Sequence, residues 1–323
     1  MATLRETKDR IGSVRSTLKI TSAMKLVASA KLRKAQKAIE GMRPYERTLA
    51  EILSAVKPAQ PSTTPTHASP AGETEIVSVG KTAIVAIASN SSLCGAFNAN
   101  VVRKALETIR ACEGEVEVIP VGRKMAEALR RAGYTNPADF NDIIGHPSYE
   151  KSAALARSLA ERFQAGELSR VVLVYNRFIS SARQEPAAEV YLPFGEILRS
   201  AQDDKNGMQD DKSGVQGVKN GAQDDKKKDD NGVILSEAEE SDYIIEPDAE
   251  TLLATLLPQV MMLKFHAAVL DSAAAEHAAR TVAMQTASDN AEELLGELTL
   301  EYNKGRQQKI TAEILDLLGG AAQ

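Results

Sequence analysis

The first stretch of the sequence repeats apolar or short side chains in alternating steps of three and four residues. The series consists of Leu4, Thr7, Ile11, Val14, Leu18, Thr21, Lys25, Ala28, Leu32, Ala35, Ile39 and Met42. Lys25 alone breaks it, and Thr3 with Glu6 has the spacing of a capping box at its start. A sustained heptad predicts one helix over residues 1–56 and requires a partner helix along its apolar side.

The last stretch carries a second helical pattern, which begins after Glu246-Pro247-Asp248. Its apolar positions are Leu256, Val260, Leu263, Ala267, Leu270, Ala274, Ala278, Val282, Leu295, Leu298, Tyr302, Ile310, Ile314 and Leu317. We expect a helix over residues 243–323, kinked at Pro258 because proline lacks a backbone donor. The simplest arrangement pairs the N- and C-terminal helices antiparallel, as a coiled-coil rod.

Between the two helices the pattern changes to alternating strands and helices. Residues 57–76 are rich in proline and predict a linker. Strands are predicted at Thr82–Ala88, Val116–Val121 and Arg170–Tyr175, with an edge strand at Val190–Leu192. Helices are predicted at Asn98–Cys112, Arg123–Ala132 and Ser148–Gln164. This alternation predicts an α/β domain over residues 77–199 with a mostly parallel sheet.

Residues 200–242 have a different character. AQDDKNG, MQDDKSG, VQGVKNG and AQDDKKK follow one another at seven-residue spacing, without a recurring apolar pair. Such low-complexity sequence cannot bury a core. We expect a disordered, solvated insertion.

Charge and cysteine content narrow the class of protein. The 323 residues carry a net charge of −5, yet residues 1–43 hold eleven Lys or Arg against three acids. A basic helix suggests an acidic partner or nucleic acid. Two cysteines, Cys94 and Cys112, are too few for a disulfide framework or a structural zinc site. No apolar run is long enough to span a membrane, so membrane association is expected only through partners.

The α/β domain lacks the usual signs of catalysis. It has no Gly-x-Gly-x-x-Gly after the first strand and no Walker-type phosphate loop. Gly95 stands alone in the loop after that strand, where tight strand-to-helix packing explains it better than a phosphate cradle. Neither the scattered histidines nor Cys94 form a nucleophilic or metal-binding pattern. We therefore expect no enzyme activity, no cofactor and no metal.

Two segments closely resemble one family. Ile20–Gln36 reads ITSAMKLVASAKLRKAQ, and Glu276–Ala322 includes EHAARTVAMQTASDNAEELL and LEYNKGRQQKITAEILDLLGGAA. These segments resemble the terminal helices of the gamma subunit of F-type ATP synthases. Weaker matches are LCGAFN at 93–98, VGRKM at 121–125 and VVLVYNRF at 171–178. The residues that match the family's C-terminal signature are Ile310, Thr311, Glu313, Asp316, Gly320 and Ala321.

The resemblance implies a fold and a mechanical function. The fold would be a coiled-coil rod with a Rossmann-like α/β foot. The chain would be the rotor shaft of the F1 sector, coupling proton flow through the membrane c-ring to ATP synthesis on the beta subunits and regulating ATPase activity. Its implied partners are the alpha and beta subunits, the epsilon subunit and the c-ring. Its implied location is the cytoplasmic face of the bacterial inner membrane, as a peripheral, non-catalytic subunit.

Individual residues can be matched to partner contacts of the family. Arg306, Gln307 and Thr311 match polar positions that bond loops of the alpha–beta ring near the tip of the rod. Met24 matches the coupling contact with an acidic beta loop. Lys25, Lys31, Arg33 and Lys34 would provide the basic side that faces that loop. Arginine suits such contacts because its planar fork holds a carboxylate with two hydrogen bonds.

Two features depart from the family pattern. Gly305 stands where alanine is usual, which costs about 1 kcal/mol of helix propensity. The 200–242 repeat is expected to be foreign to the family, looping out of the foot without obstructing the rod.

Two other classes of function remain open at this stage. A basic coiled-coil arm could track RNA phosphates, although few aromatic residues accompany the charges for base stacking. The chain could also be a nucleotide-dependent α/β enzyme with a dimerisation coil, although the missing phosphate loops argue against this class.

Overall fold

The computed structural model describes residues 3–55, 80–138, 140–193 and 248–320. The predicted linker at 57–76 and the repeat at 200–242 lie outside these ranges. Helix α1 spans Leu4–Ala55 and helix α6 spans Ala249–Gly320. The capping box of α1 is confirmed: the Thr3 amide donates to Glu6 Oε2 at 2.9 Å, and the Glu6 amide donates to Thr3 Oγ1 at 3.3 Å.

The two terminal helices pack against each other along much of α1, in opposite directions. Leu49 clusters with Val260 and Leu263, while Leu32 and Ile39 cluster with Leu270 and Ala274. Further along, Thr21 meets Ser288, and Leu4 lies beside Gly305. Every α1 seam position of the predicted heptad is buried or half-buried, including Lys25. We refer to α1 and α6 together as the helix pair.

The α6 pattern needs two corrections. Val282, predicted on the seam, is 50% exposed, and Met284 and Ser288 are buried instead. The buried face shifts here because, among the described residues, α6 leaves the α/β domain beyond Ala283 and continues beside α1. Helix α6 continues through Pro258, and the kink expected there stays a prediction.

The end of α6 is the second correction. Ile310, Ile314 and Leu317, predicted to continue the packed face, are 47%, 50% and 74% exposed. They lie beyond Leu4, the first residue of α1, which contacts α6 at Gly305. The helix therefore projects past its partner, and we call residues 306–320 the tip segment.

The central domain is built on a four-stranded mixed sheet of order β2-β1-β3-β4. Strand β1 (Lys81–Ile87) pairs parallel with β2 (Val116–Val121) and with β3 (Leu168–Phe178). Strand β4 (Gln184–Leu192) pairs antiparallel with β3 at the edge. The prediction of a mostly parallel sheet with an edge strand is confirmed, although β4 begins earlier than predicted.

Helices cover both faces of this sheet. Helices α2 (Phe97–Ala111) and α3 (Arg123–Arg131) pack on Ile84 and Ala86 of β1. Helices α4 (Asn141–Gly145) and α5 (Tyr149–Gln164), together with α6, pack on the other face. Of these, only the short α4 was not predicted. Because both faces are covered, β1 is buried and apolar almost throughout, as expected of a central parallel strand.

Glycines shape the two loops that follow β1 and β2. Gly122 has φ +100°, and a Cβ there would lie 2.1 Å from the carbonyl oxygen of Ala88. Only glycine allows the two backbones to approach this closely. Gly95 has φ +57°, and its nearest neighbour is the Cβ of Ala283 at 3.7 Å. The predicted strand-to-helix packing at Gly95 is therefore wrong, and a left-handed backbone accounts for the residue.

Candidate functional site

Polar side chains interrupt the apolar seam of the helix pair near its middle. The hydroxyls of Thr21 and Ser288 lie 2.8 Å apart in a buried hydrogen bond, and Lys25 Nζ donates to Gln285 Oε1 at 2.8 Å. Buried alanines on both helices, such as Ala28 and Ala278, leave room for close approach. A polar pair in an otherwise apolar seam favours one register over its neighbours.

The basic residues predicted to meet a partner lie on α1 at and beside this level. Met24 and Lys25 are half-buried, whereas Lys31, Arg33 and Lys34 are exposed. Lys31 lies close enough to α6 for its charge to act on Glu276 and His277. The α1 surface at this level is therefore positively charged, and the rest of the described chain does not cover it.

A buried ion pair lies where α6 leaves the α/β domain. Arg280 Nη1 donates to Glu276 Oε1 at 2.8 Å, one helical turn away, and both side chains are buried. Arg280 Nη2 donates to Ser91 Oγ at 2.7 Å and to the Ser92 carbonyl at 3.3 Å. We call Glu276, Arg280, Ser91 and Ser92 the junction.

Burial has the largest effect on the pKa values of the titratable groups at and beside the junction, and neighbouring charges have a smaller effect. Burial raises the pKa of Glu276, and the positive charges of Arg280 and Lys31 oppose that shift. Burial also lowers the pKa of His277 to about 4, and the same two cations lower it further. His277 is therefore neutral near pH 7, and the Arg280–Glu276 pair carries the buried charge.

The tip segment presents the second group of predicted partner residues. Arg306, Gln307 and Thr311 are exposed, and the Thr311 hydroxyl donates to the Gln307 carbonyl at 2.9 Å within the helix. Glu313 is exposed and pairs weakly with Lys309, their charged atoms 3.8 Å apart. Gly320 is the last residue of α6. The Asp316 side chain and Ala321 lie outside what the structure describes.

The structure does not bring the two predicted groups together. Lys25 lies level with Gln285, whereas Arg306 follows Gly305, which lies level with Leu4. At 1.5 Å per residue, the two groups are about 30 Å apart along α6. They form two separate levels of accessible surface on one elongated element.

The α/β domain offers little for chemistry in the residues described. Burial raises the pKa of the Cys94 thiol, which opposes a nucleophilic role. His266 lies 3.1 Å from Ser152 Oγ and packs edge-on against Tyr149, as part of the α5–α6 contact. Within the described residues, no group of three or more His, Cys, Asp or Glu side chains is placed to hold a metal ion. Among the described helices, none is long and apolar enough to cross a bilayer.

Reasoning from the sequence missed the junction. Its only local signal is Glu276 four residues before Arg280 on a stretch of α6 otherwise rich in alanine. Two such charges on an apolar face indicate a buried pair. The loop partner Ser91 had no signal of its own.

The whole chain matches one family model, and curated relatives match it from end to end. Residues 3–323 match the model described as ATP synthase. The ATP synthase gamma chain of Bacteroides fragilis is 44% identical over 99% of this chain and 99% of its own length. The gamma chain of Bacteroides thetaiotaomicron is 44% identical over 100% of both chains. That of Dehalococcoides mccartyi is 35% identical over 100% of this chain and 99% of its own length.

Solved structures share the fold. A chain of the Euglena gracilis mitochondrial ATP synthase, solved with OSCP, F1 and the c-ring, aligns with a TM-score of 0.58 at 21% identity, covering 99% of this chain and 93% of that chain. A chain from the central stalk and c-ring of the Tetrahymena thermophila enzyme gives a TM-score of 0.53 at 22% identity, covering 83% and 99%. The two long terminal helices and the central mixed sheet agree with this fold.

Proposed function

This chain belongs to the ATP synthase gamma-chain family, and from that premise we propose that it is the non-catalytic central shaft of an F1 sector. The helix pair forms the rod of this shaft, and the α/β domain forms its foot, with the Rossmann-like character that the family resemblance implies. The rod turns inside a ring of alpha and beta subunits, and the foot meets the epsilon subunit and the membrane c-ring. The chain is thus a peripheral subunit on the cytoplasmic face of the bacterial inner membrane.

The observation that carries this proposal is the exposed tip segment. Ile310, Ile314 and Leu317 expose large apolar side chains where α6 extends beyond the first residue of α1. Apolar residues clustered on one exposed segment indicate a contact with another protein. A single apolar helix end suits a collar of ring subunits in which it can turn, while Arg306, Gln307 and Thr311 supply polar contacts beside it.

The basic surface on α1 forms the second contact level of the proposed shaft. Lys31, Arg33 and Lys34 are exposed and would face an acidic loop of a beta subunit, with Met24 and Lys25 at its edge. Each exposed ion pair contributes only about 0–1 kcal/mol, so no single lysine is essential. The pattern as a whole makes the surface asymmetric, and rotation then presents a different face to each beta subunit. Such differential contact can bias the state of each catalytic site.

Reconstitution with alpha and beta subunits of the same source tests the proposal. We expect a complex with one copy of this chain per ring. ATP hydrolysis by this complex should fall when Arg306 and Gln307 are both changed to alanine. The control changes Arg110 and Arg130 to alanine, two exposed residues on the α/β domain, and should leave hydrolysis unchanged. A chain that stays monomeric beside competent alpha and beta subunits would refute the shaft assignment and favour the RNA-binding alternative.

A further inference from the structure

A single guanidinium group joins helix α6 to the loop after β1 at the junction. Arg280 is only 9% exposed. It bonds Glu276 on its own helix and reaches the side chain of Ser91 and the carbonyl of Ser92 in the loop after β1. These contacts use both terminal nitrogens of the arginine fork. A lysine, with one nitrogen, could not reproduce this bridging geometry.

The loop that receives Arg280 is itself held in place by hydrogen bonds. Ser89 Oγ lies 2.5 Å from the Ser91 carbonyl and 2.9 Å from Asn98 Oδ1. Asn98 Nδ2 donates to the same carbonyl at 3.3 Å and to Cys94 Sγ at 3.2 Å. Ser91 is therefore anchored to the start of α2, and a contact with it is a contact with the body of the α/β domain.

The junction lies at the end of the interface between α6 and the α/β domain. Towards the start of α6, Phe265 and Val269 are buried in the core that α6 shares with the sheet. Towards its end, Ala283 lies beside Gly95, and from Ser288 onward the described contacts of α6 are with α1. Arg280 thus makes a charged contact with the domain close to the point where the helix departs from it.

The position and the chemistry of the Arg280–Ser91 contact both suit it to resist rotation of α6 about its own axis. Burial of apolar surface is non-directional, so the shared core resists separation of α6 from the sheet more than it resists a small rotation. A charge-assisted hydrogen bond is short and oriented, and it is lost when the helix turns about its axis. The contact also lies close to the far end of the interface, where Ala283 beside Gly95 is the next contact along α6.

We propose that Arg280 is a positioning residue for torque transfer, which fixes the rotational setting of the helix pair on the α/β domain through Ser91. The proposal rests on the shaft function proposed above and specifies how the foot is connected to the rod. Ser91 is the reporter of this role, because removing its hydroxyl removes the shorter of the two bonds from Arg280 to the loop and leaves the Arg280–Glu276 pair intact. Ser92 provides the matched control, since it takes part only through its backbone carbonyl.

The first test measures how the helix pair is set on the α/β domain in the purified full chain. The measured quantity is the distance between one label on each part. Spin labels are placed at Arg110→Cys on α2 and Glu297→Cys on α6, both exposed positions, in a background with Cys112→Ser. Loss of a hydrogen bond to a charged group should raise the population of other settings by about tenfold. We therefore expect Ser91→Ala and Arg280→Gln to broaden the distance distribution and Ser92→Ala to leave it narrow. An unchanged distribution in Ser91→Ala would overturn the proposal, even if Arg280→Gln fails to fold.

The second test measures coupling in the complete complex reconstituted in lipid vesicles. We expect Ser91→Ala to retain ATP hydrolysis and to lose part of the ATP-driven proton uptake per ATP hydrolysed, whereas Ser92→Ala matches the unchanged chain. Equal uptake per ATP in both variants would overturn the role in torque transfer. Failure of the unchanged chain to support uptake would instead count against the shaft function itself, so the two hypotheses fail in distinguishable ways.

Discussion

Two stretches of α6 meet their surroundings in opposite ways. Around Phe265 and Ala274 the helix is enclosed between α1 and the α/β domain, and both side chains are fully buried. In the tip segment, Leu315 and Leu317 are mostly exposed, on the same helix and with similar apolar chemistry. Burial along α6 is therefore decided by what lies beside it, since both stretches are helical and carry large apolar side chains.

This difference separates the residues that stabilise the chain from those available to partners. Substitutions near Phe265 should change stability, because they remove contacts made within the chain. Substitutions in the tip segment should leave the isolated chain unaffected and act only in a complex.

The largest expected effect comes from the buried stretch of α6 around Phe265. Phe265→Ala should lower the free energy of unfolding by about 3–5 kcal/mol, because it leaves a cavity in the core shared with the sheet. Leu315→Ala, the matched change in the tip segment, should stay within about 0.5 kcal/mol of the unchanged chain. Urea denaturation of the purified chain, followed by circular dichroism, measures both. Similar losses of unfolding free energy in the two variants would contradict the difference between the buried stretch and the tip segment.

A close backbone contact inside the α/β domain gives the next effect. Gly122→Ala places a Cβ against the Ala88 carbonyl oxygen and should cost roughly 3 kcal/mol or more, through positive φ and steric overlap together. Gly133→Ala is the control, because Gly133 has φ +92° with nothing within 4 Å of the added Cβ. It should cost only about 1–2 kcal/mol, from the backbone conformation alone. Equal thermal stability of the two variants would exclude the overlap as a cause.

His277, which follows Glu276 of the junction, should make the stability of the chain depend on pH. The pKa of His277 is about 4 in the folded chain, against an ordinary value of 6.5. Between these values the unfolded state binds a proton that the folded state does not, so stability falls as pH drops. From pH 7 to pH 5 the loss from this group should be about 1–2 kcal/mol.

His277→Gln should remove that dependence. Glu276 acts in the opposite direction, since its raised pKa makes protonation favour the folded state at lower pH. Urea denaturation should therefore be used at each pH to compare the free energy of unfolding of the His277→Gln variant with that of the unchanged chain. A difference that does not change between pH 7 and pH 5 would show that His277 titrates normally in the folded state.

The smallest effect concerns two glycines of α6. Gly296→Ala should stabilise the chain by about 0.5–1 kcal/mol, because the helix gains propensity and nothing lies within 4 Å of the added Cβ. Gly305→Ala should gain less, since its Cβ would lie 3.1 Å from Leu4 Cδ2. Thermal melting compares the two variants directly. An equal or larger gain at Gly305 would mean that the first residue of α1 does not pack there.

The comparison also shows which features could be predicted from the sequence. Local patterns sufficed for the described helices other than α4, for the strands and for the capping of α1 by Thr3 and Glu6, since these depend on neighbours along the chain. Val282 was placed wrongly because the periodic pattern does not reveal where the α/β domain ends beside α6. The Arg280–Ser91 contact joins residues 189 positions apart and has no local signature. The tip residues were predicted through family resemblance, and their role in partner contact stays a prediction.

Rotation of this chain within its complex tests the central claim most directly. A probe attached at Arg110→Cys on the α/β domain, in a Cys112→Ser background, is observed while a surface-fixed ring of alpha and beta subunits hydrolyses ATP. The shaft function predicts continuous rotation of the probe in one direction, which stops when ATP is exhausted. Steady ATP hydrolysis by a correctly assembled complex with a stationary probe would contradict it.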